Sequence, residues 1–93
     1  MRIRVVTAGA LTRSIPEGRV AIEGGDLTVR GVIEALKDRY GPTLASELLD
    51  EESIKEGLCM LVNGRNILSL PQTYETPLRD GDEILIALVV AGG

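Results

Sequence analysis

The chain closes on Ala91-Gly92-Gly93, directly after the apolar run Leu88-Val89-Val90, which puts two residues without a Cβ next to a terminal carboxylate. A glycine tail threads a slot that any side chain would block. At about 3.3–3.6 Å per extended residue, the stretch from Ala91 to Gly93 carries that carboxylate roughly 10 Å past the last strand. A stalk of that length reaches into another protein's active site while the globular part stays outside. The Gly93 carbonyl is therefore the candidate reactive group, with Gly92 as the residue that lets it thread. The competing reading is a frayed end, since small residues and disorder are common at termini.

Little else in the chain offers chemistry. There is no histidine, so acid–base work near neutral pH would need a perturbed carboxylate or lysine. Cys59 is the single cysteine, which leaves no internal disulfide and no thiol cluster for zinc or iron–sulfur. It sits in an apolar run without a basic neighbour to lower its pKa, and is expected to be a small buried hydrophobe. Asp80-Gly81-Asp82 reads as the turn into the last strand rather than a metal loop. No metal ligands are expected, and Lys37 and Lys55, the only lysines, read as surface charges.

Composition sets the class. Apolar residues make up 44% of the 93 and charged ones 26%, which is ordinary for a globular chain and excludes a disordered tail protein. One domain spanning 1–93, with a flexible tail at 91–93, is expected. The core must be aliphatic, because Phe and Trp are absent and Tyr40 and Tyr74 are the only aromatics. A net charge of −4, with no basic stripe interleaved with aromatics, argues against a nucleic-acid partner. No run approaches the roughly 20 apolar residues of a membrane span. Met1 to Val6 already reads as strand rather than as a secretory leader, so no membrane partner and a cytoplasmic location are expected.

The elements that must position the tail follow from periodicity. Ile3 and Val5 alternate with Arg2 and Arg4, a half-buried strand over residues 2–8. Ile15-Pro16-Glu17-Gly18 is turn chemistry, and residues 19–23 return as the second arm of a hairpin. Val29, Ile33, Leu36 and Tyr40 then form one apolar helical stripe, capped by Thr28 and stopped at Gly41-Pro42. A shorter helix is expected over 44–49, and Asp50-Glu51-Glu52 as an acidic loop. Residues 58–62 alternate again before Asn63-Gly64, a type I′ hairpin signal, with the return strand at 65–68. Residues 71–82 read as a long loop. Ile84 to Val90 is apolar throughout, as in a strand covered on both faces or flanked centrally in a sheet. The terminal strand is expected beside the first, with the helix over one face. On that parity Val6, Ala8, Leu85, Ala87 and Val89 share the outer face, a candidate partner-binding patch that continues into Ala91. Cover by a loop or by a second copy is the alternative.

This element order resembles the ubiquitin-like β-grasp, an α+β roll with a mixed sheet of about five strands, one main helix and a second short one. Four strings resemble its sulfur-carrier branch. They are Thr28-Val29 at the helix start, Leu61-Val62-Asn63-Gly64-Arg65-Asn66-Ile67, Thr76-Pro77-Leu78-Arg79-Asp80-Gly81-Asp82-Glu83, and the closing Ala91-Gly92-Gly93. They are similar to the small subunit of molybdopterin synthase, and secondarily to the thiamine-biosynthesis sulfur carrier. The likeness runs over essentially the whole chain.

The resemblance implies that an E1-like adenylyltransferase uses ATP to adenylate the Gly93 carboxylate. A sulfur donor then displaces AMP and leaves a thiocarboxylate. That sulfur passes to a cofactor precursor on the large subunit of molybdopterin synthase, or to an equivalent acceptor. The chain is then a carrier and co-substrate, at most the small subunit of a sulfurtransferase, and binds no cofactor of its own. Thiamine thiazole, thiolated tRNA, attachment to target lysines, and a passive interaction module are the other outcomes. Family members often carry aromatics near the end of the first strand and in the last, where Thr7-Ala8 and Ile86-Ala87 stand here. Prolines often precede the synthase subunit's tail, and Val89-Val90-Ala91 stands in their place.

Overall fold

The computed structural model describes residues 1–8 and 11–89. Strand β1, Arg2–Thr7, buries Ile3, Val5 and Thr7, exposes Arg2 and Arg4 and leaves Val6 half-buried on the other face, as its alternating sequence dictates. It pairs antiparallel with β2, Arg19–Glu23, in the expected hairpin. Helix α1, Val29–Tyr40, buries Val29, Ile33 and Leu36 of the anticipated stripe together with Val32, while Tyr40 at its end is half-buried against the core. Thr28 caps it, its hydroxyl accepting from the Gly31 amide at 3.1 Å. Gly41 ends it at φ +78°, a conformation that a Cβ would strain.

Helix α2, Pro42–Leu48, begins two residues earlier than expected. Pro42 stops α1 and also opens α2, because proline's fixed φ and missing N–H suit a first helical turn. The acidic loop proves to be the tip of a small hairpin: β3, Leu49–Asp50, pairs with β4, Ser53–Ile54. Glu51 at its tip has φ +59°. Next come β5, Leu58–Val62, and β6, Arg65–Asn66, joined through Asn63-Gly64 with φ of 49° and 87°. The return strand is shorter than expected, because the Asn66 side chain accepts from the Leu68 amide at 2.9 Å and turns the chain into a single 3₁₀ turn.

Strand β7, Glu83–Leu88, lies in the middle of a five-stranded sheet of order β2-β1-β7-β5-β6, parallel to β1 and antiparallel to β5. The apolar run reflects that central place rather than cover on both faces. Ile84 and Ile86 are buried toward the helices, whereas Leu85 and Ala87 on the other side are half-buried. The core is aliphatic as expected, with Ile3, Ile33, Leu44, Leu48, Met60, Ile67, Ile84 and Ile86 all essentially fully buried. Ile33→Ala should cost about 2–5 kcal/mol in urea unfolding, because the helix stripe cannot collapse onto a rigid sheet.

Two of the strings that carried the resemblance meet in space. The Val29 amide donates to the Thr76 carbonyl at 3.1 Å, and the Leu78 amide to Leu27 at 2.8 Å. The Asp80-Gly81-Asp82 turn is clasped to β1. Asp80 accepts from the Arg2 amide at 2.7 Å, Asp82 accepts from the Arg79 amide at 2.8 Å, and the Gly81 amide donates to Arg2 at 2.9 Å. This turn sets the register of β7 against β1. Asn63 adds a second tie, donating to Asp82 at 2.9 Å and accepting from the Glu83 amide at 3.0 Å. No described helix is long and apolar enough to cross a membrane.

Candidate functional site

The candidate site is the outer face of the sheet together with the strand that precedes the tail in sequence. Because β1 and β7 run parallel, both point their C-terminal ends the same way, and the Ala8 amide donates to the Ile86 carbonyl at 2.8 Å. On the other flank the Val89 amide donates to the Gly57 carbonyl at 2.9 Å. β7 is thus held on both sides almost to the last described residue. Ala91, Gly92 and Gly93 lie outside the described residues.

The expected parity is present. Val6, Leu85 and Ala87 are half-buried on the face away from α1, and Ala8 and Val89 are exposed, Val89 at 56%. The register aligns them across strands. Arg19 faces Val6, Val6 faces Leu85, and Leu85 faces Leu61, one continuous row over four strands. In the next row Ala87 faces Cys59. Leu61 and Cys59 therefore belong to the patch, although the sequence reading placed Cys59 in the core. Its position follows from β5's own alternation: Met60 and Val62 take the inner face, so their neighbours face outward. Cys59 is half-buried and free.

Sequence reasoning also missed a latch on the segment that follows β1. After β1 the chain returns through residues 11–14, and the Glu47 carboxylate of α2 holds that segment. It accepts from the Thr12 hydroxyl at 2.8 Å, the Arg13 amide at 3.3 Å and the Ser14 hydroxyl at 3.3 Å. The Thr12 hydrogen bond, aided by the Arg13 amide, holds the Glu47 pKa below the ordinary carboxylate value against a partly opposing desolvation. A depressed folded-state pKa means the latch is in force above the ordinary carboxylate value and is lost as pH falls through the folded one. Amide exchange at Arg13, whose N–H donates to Glu47, should therefore lose protection in acid once corrected for its intrinsic pH dependence. In Glu47→Ala that protection should be low at every pH. No sequence motif marks Glu47, since its partners lie more than thirty residues away.

The face combines an apolar middle, charged residues on the β1–β2 side, and the strand that in sequence precedes Gly92-Gly93. Comparison with known proteins agrees with this architecture. The ThiS family model matches residues 10–93, the di-glycine included. A protein of Archaeoglobus fulgidus described as "Putative sulfur carrier protein" is 35% identical over 83 residues, covering 89% of this chain and 93% of that one. The solution structure of small archaeal modifier protein 1 from Methanosarcina acetivorans superposes with a TM-score of 0.74 at 30% identity, covering 99% of this chain and 96% of that one. "Putative molybdopterin converting factor, subunit 1" from Pyrococcus furiosus shares the fold alone, with a TM-score of 0.70 at 22% identity over 96% and 98% of the two chains. The fold is the ubiquitin-like β-grasp, and a match over all but the first strand shows where the chain stands: it is a member of the ThiS family of ubiquitin-like sulfur carriers.

Proposed function

We propose that the chain carries sulfur on its own C-terminus. An E1-like enzyme docks on the outer sheet face, draws Gly92-Gly93 into its nucleotide site and joins the Gly93 carboxylate to AMP from ATP, releasing pyrophosphate. A sulfur nucleophile then attacks the Gly93 carbonyl and AMP leaves, which yields the thiocarboxylate. The acceptor takes that sulfur, and for this chain we favour a molybdopterin precursor held by a synthase large subunit. The work of this chain is positional. Its glycines leave the carbonyl unshielded, and β7 fixes where the stalk departs from the docking face.

One observation carries the reading: the central strand of the sheet, lined on its open side by Leu85 and Ala87, leads within a few residues to Gly92-Gly93. The names of the relatives support it. The choice of molybdopterin rests on the likeness of the strings through residues 61–67 and 76–83 and on the Pyrococcus furiosus neighbour. Thiamine thiazole or tRNA thiolation would use the same activated terminus.

Intact mass measurement tests the proposal. Incubation with the E1-like enzyme of the same genome and ATP should give an AMP adduct. Adding sulfide should replace it with a species heavier than the starting chain by the difference between sulfur and oxygen. Absence of both species would refute it. The modifier named for the Methanosarcina relative favours a second reading, attachment through Gly93 to target lysines. Activation is shared by the two, so the discriminator is a Gly-Gly remnant on cellular lysines after proteolysis.

A further inference from the structure

We infer that the β1–β2 half of the outer face is a docking groove for an acidic protein surface, one that presents carboxylates to Arg4 and Arg19 while its apolar part covers Val6 and Leu85. This deepens the proposed function and rests on it, since the partner meant is the activating enzyme.

A shallow groove of about 380 Å³ runs along this half, with Arg2, Arg4, Arg19, Val6, Ala21 and Glu83 in its walls and floor. It adjoins the apolar row through Val6, whose two cross-strand neighbours are Arg19 and Leu85. With strands about 4.8 Å apart, Arg19 stands two strands, roughly 10 Å, from the Leu85 backbone. A single partner surface spans both.

The charges point to what that surface carries. The chain as a whole is acidic, fourteen Asp and Glu against ten Lys and Arg, yet three of those ten line this one groove and Glu83 is its only acidic wall. Glu83 already pairs with Arg4 at 3.4 Å, but the Arg4 side chain is largely exposed and that of Glu83 partly so, and an ion pair this open to water contributes little and is readily exchanged for a partner's carboxylate. Among the described residues no carboxylate lies within salt-bridge distance of Arg2 or Arg19. Glu23, opposite Arg2, and Asp80, held by the Arg2 amide, offset the charge at the far end of β1. The positive centre is therefore Arg4 and Arg19, next to the apolar row.

Carboxylates fit better than nucleic-acid phosphates. The overall charge repels a polyanion, the floor of the groove is aliphatic, and neither tyrosine lies on this face to stack a base. The choice of arginine also suits the proposed chemistry. Guanidinium binds carboxylate bidentately and stays protonated, so it offers charge without an amine that an activated acyl group would acylate. The two lysines lie off the sheet, Lys37 on α1 and Lys55 before β5.

The test measures binding of the full-length chain to the E1-like enzyme of the same genome at low and high salt, alongside AMP-adduct kinetics. Arg4→Glu/Arg19→Glu should slow association roughly tenfold to a hundredfold in dilute buffer, and the gap should close toward about 0.5 M salt. The KM for adduct formation should rise in step while kcat holds. Arg4→Gln/Arg19→Gln, which adds no repulsion next to Glu83, should show a smaller loss of the same kind, and thermal unfolding verifies that both variants are folded. Association unchanged by either variant, or a wild-type chain that does not bind, would overturn the inference. So would chemical-shift changes at Arg4 and Arg19 on adding bulk tRNA, with enzyme binding indifferent to the variants. Salt-sensitive binding that follows the arginines but yields no AMP adduct supports the groove and defeats the proposed function instead.

Discussion

A chain lacking Gly92 and Gly93 should form no detectable AMP adduct and deliver no sulfur, while melting within about 2 °C of the full-length protein. The asymmetry follows from where the fold keeps its stability. The core is made by β1, β5, β7, α1 and α2, and the last hydrogen bond the structure describes along β7 is Val89 to Gly57. Nothing among the described residues needs the two glycines, whereas the proposed chemistry takes place entirely on them. Gly92→Val should behave almost as badly as the deletion with the carboxylate still present, because a β-branched side chain blocks the slot. Adduct formation by single-turnover mass measurement, with thermal unfolding as the control, checks both variants. A passive interaction module would tolerate either change.

Leu85→Glu carries the second largest expected effect. Leu85 sits between Val6 and Leu61 at the middle of the outer face and is half-buried, so a glutamate there reaches water in the free protein and should leave the fold nearly unchanged. Docked against a partner, the same carboxylate is buried without a counter-charge. Loss of a hot-spot contact at the centre of an interface costs about 2 kcal/mol or more, at least about 30-fold in affinity. The loss should appear in KM for adduct formation, with kcat at saturating protein close to wild type. Ile86→Glu, one residue on, should instead unfold the chain, since Ile86 points into the core. The contrast between neighbours tests the face and not merely the strand.

Much of this architecture was legible because it rests on short-range physics. Alternation in β1 and β5, the four-point stripe of α1, the Thr28 cap, and Asn63-Gly64 each follow from local periodicity or turn chemistry, and each stands where expected. The parity that gathers Val6, Leu85 and Ala87 on one face followed from the same period of two. What escaped depended on partners distant in sequence. The β3–β4 hairpin is held by contacts that local pattern does not encode: Tyr74 accepts from the Ile54 amide at 2.8 Å, and Arg30 pairs with Glu52 and Glu75 while stacking on Tyr74. The Glu47 latch is likewise non-local. The seven-residue apolar run was ambiguous, since a central strand with one face half open reads much like a fully covered one. Cys59 was misplaced by its apolar neighbours, although the alternation of β5, with Met60 and Val62 inward, puts it on the outer face. The arginine groove escaped because Arg2 and Arg4 on β1 meet Arg19 on β2 only through strand register.

Locating the added atom tests the central claim most directly. After reaction with ATP, the activating enzyme and sulfide, proteolysis and tandem mass spectrometry of the C-terminal peptide should place the sulfur-for-oxygen exchange on Gly93 alone, with the Cys59 peptide unchanged. Sulfur found on Cys59 with Gly93 still a carboxylate would contradict the account.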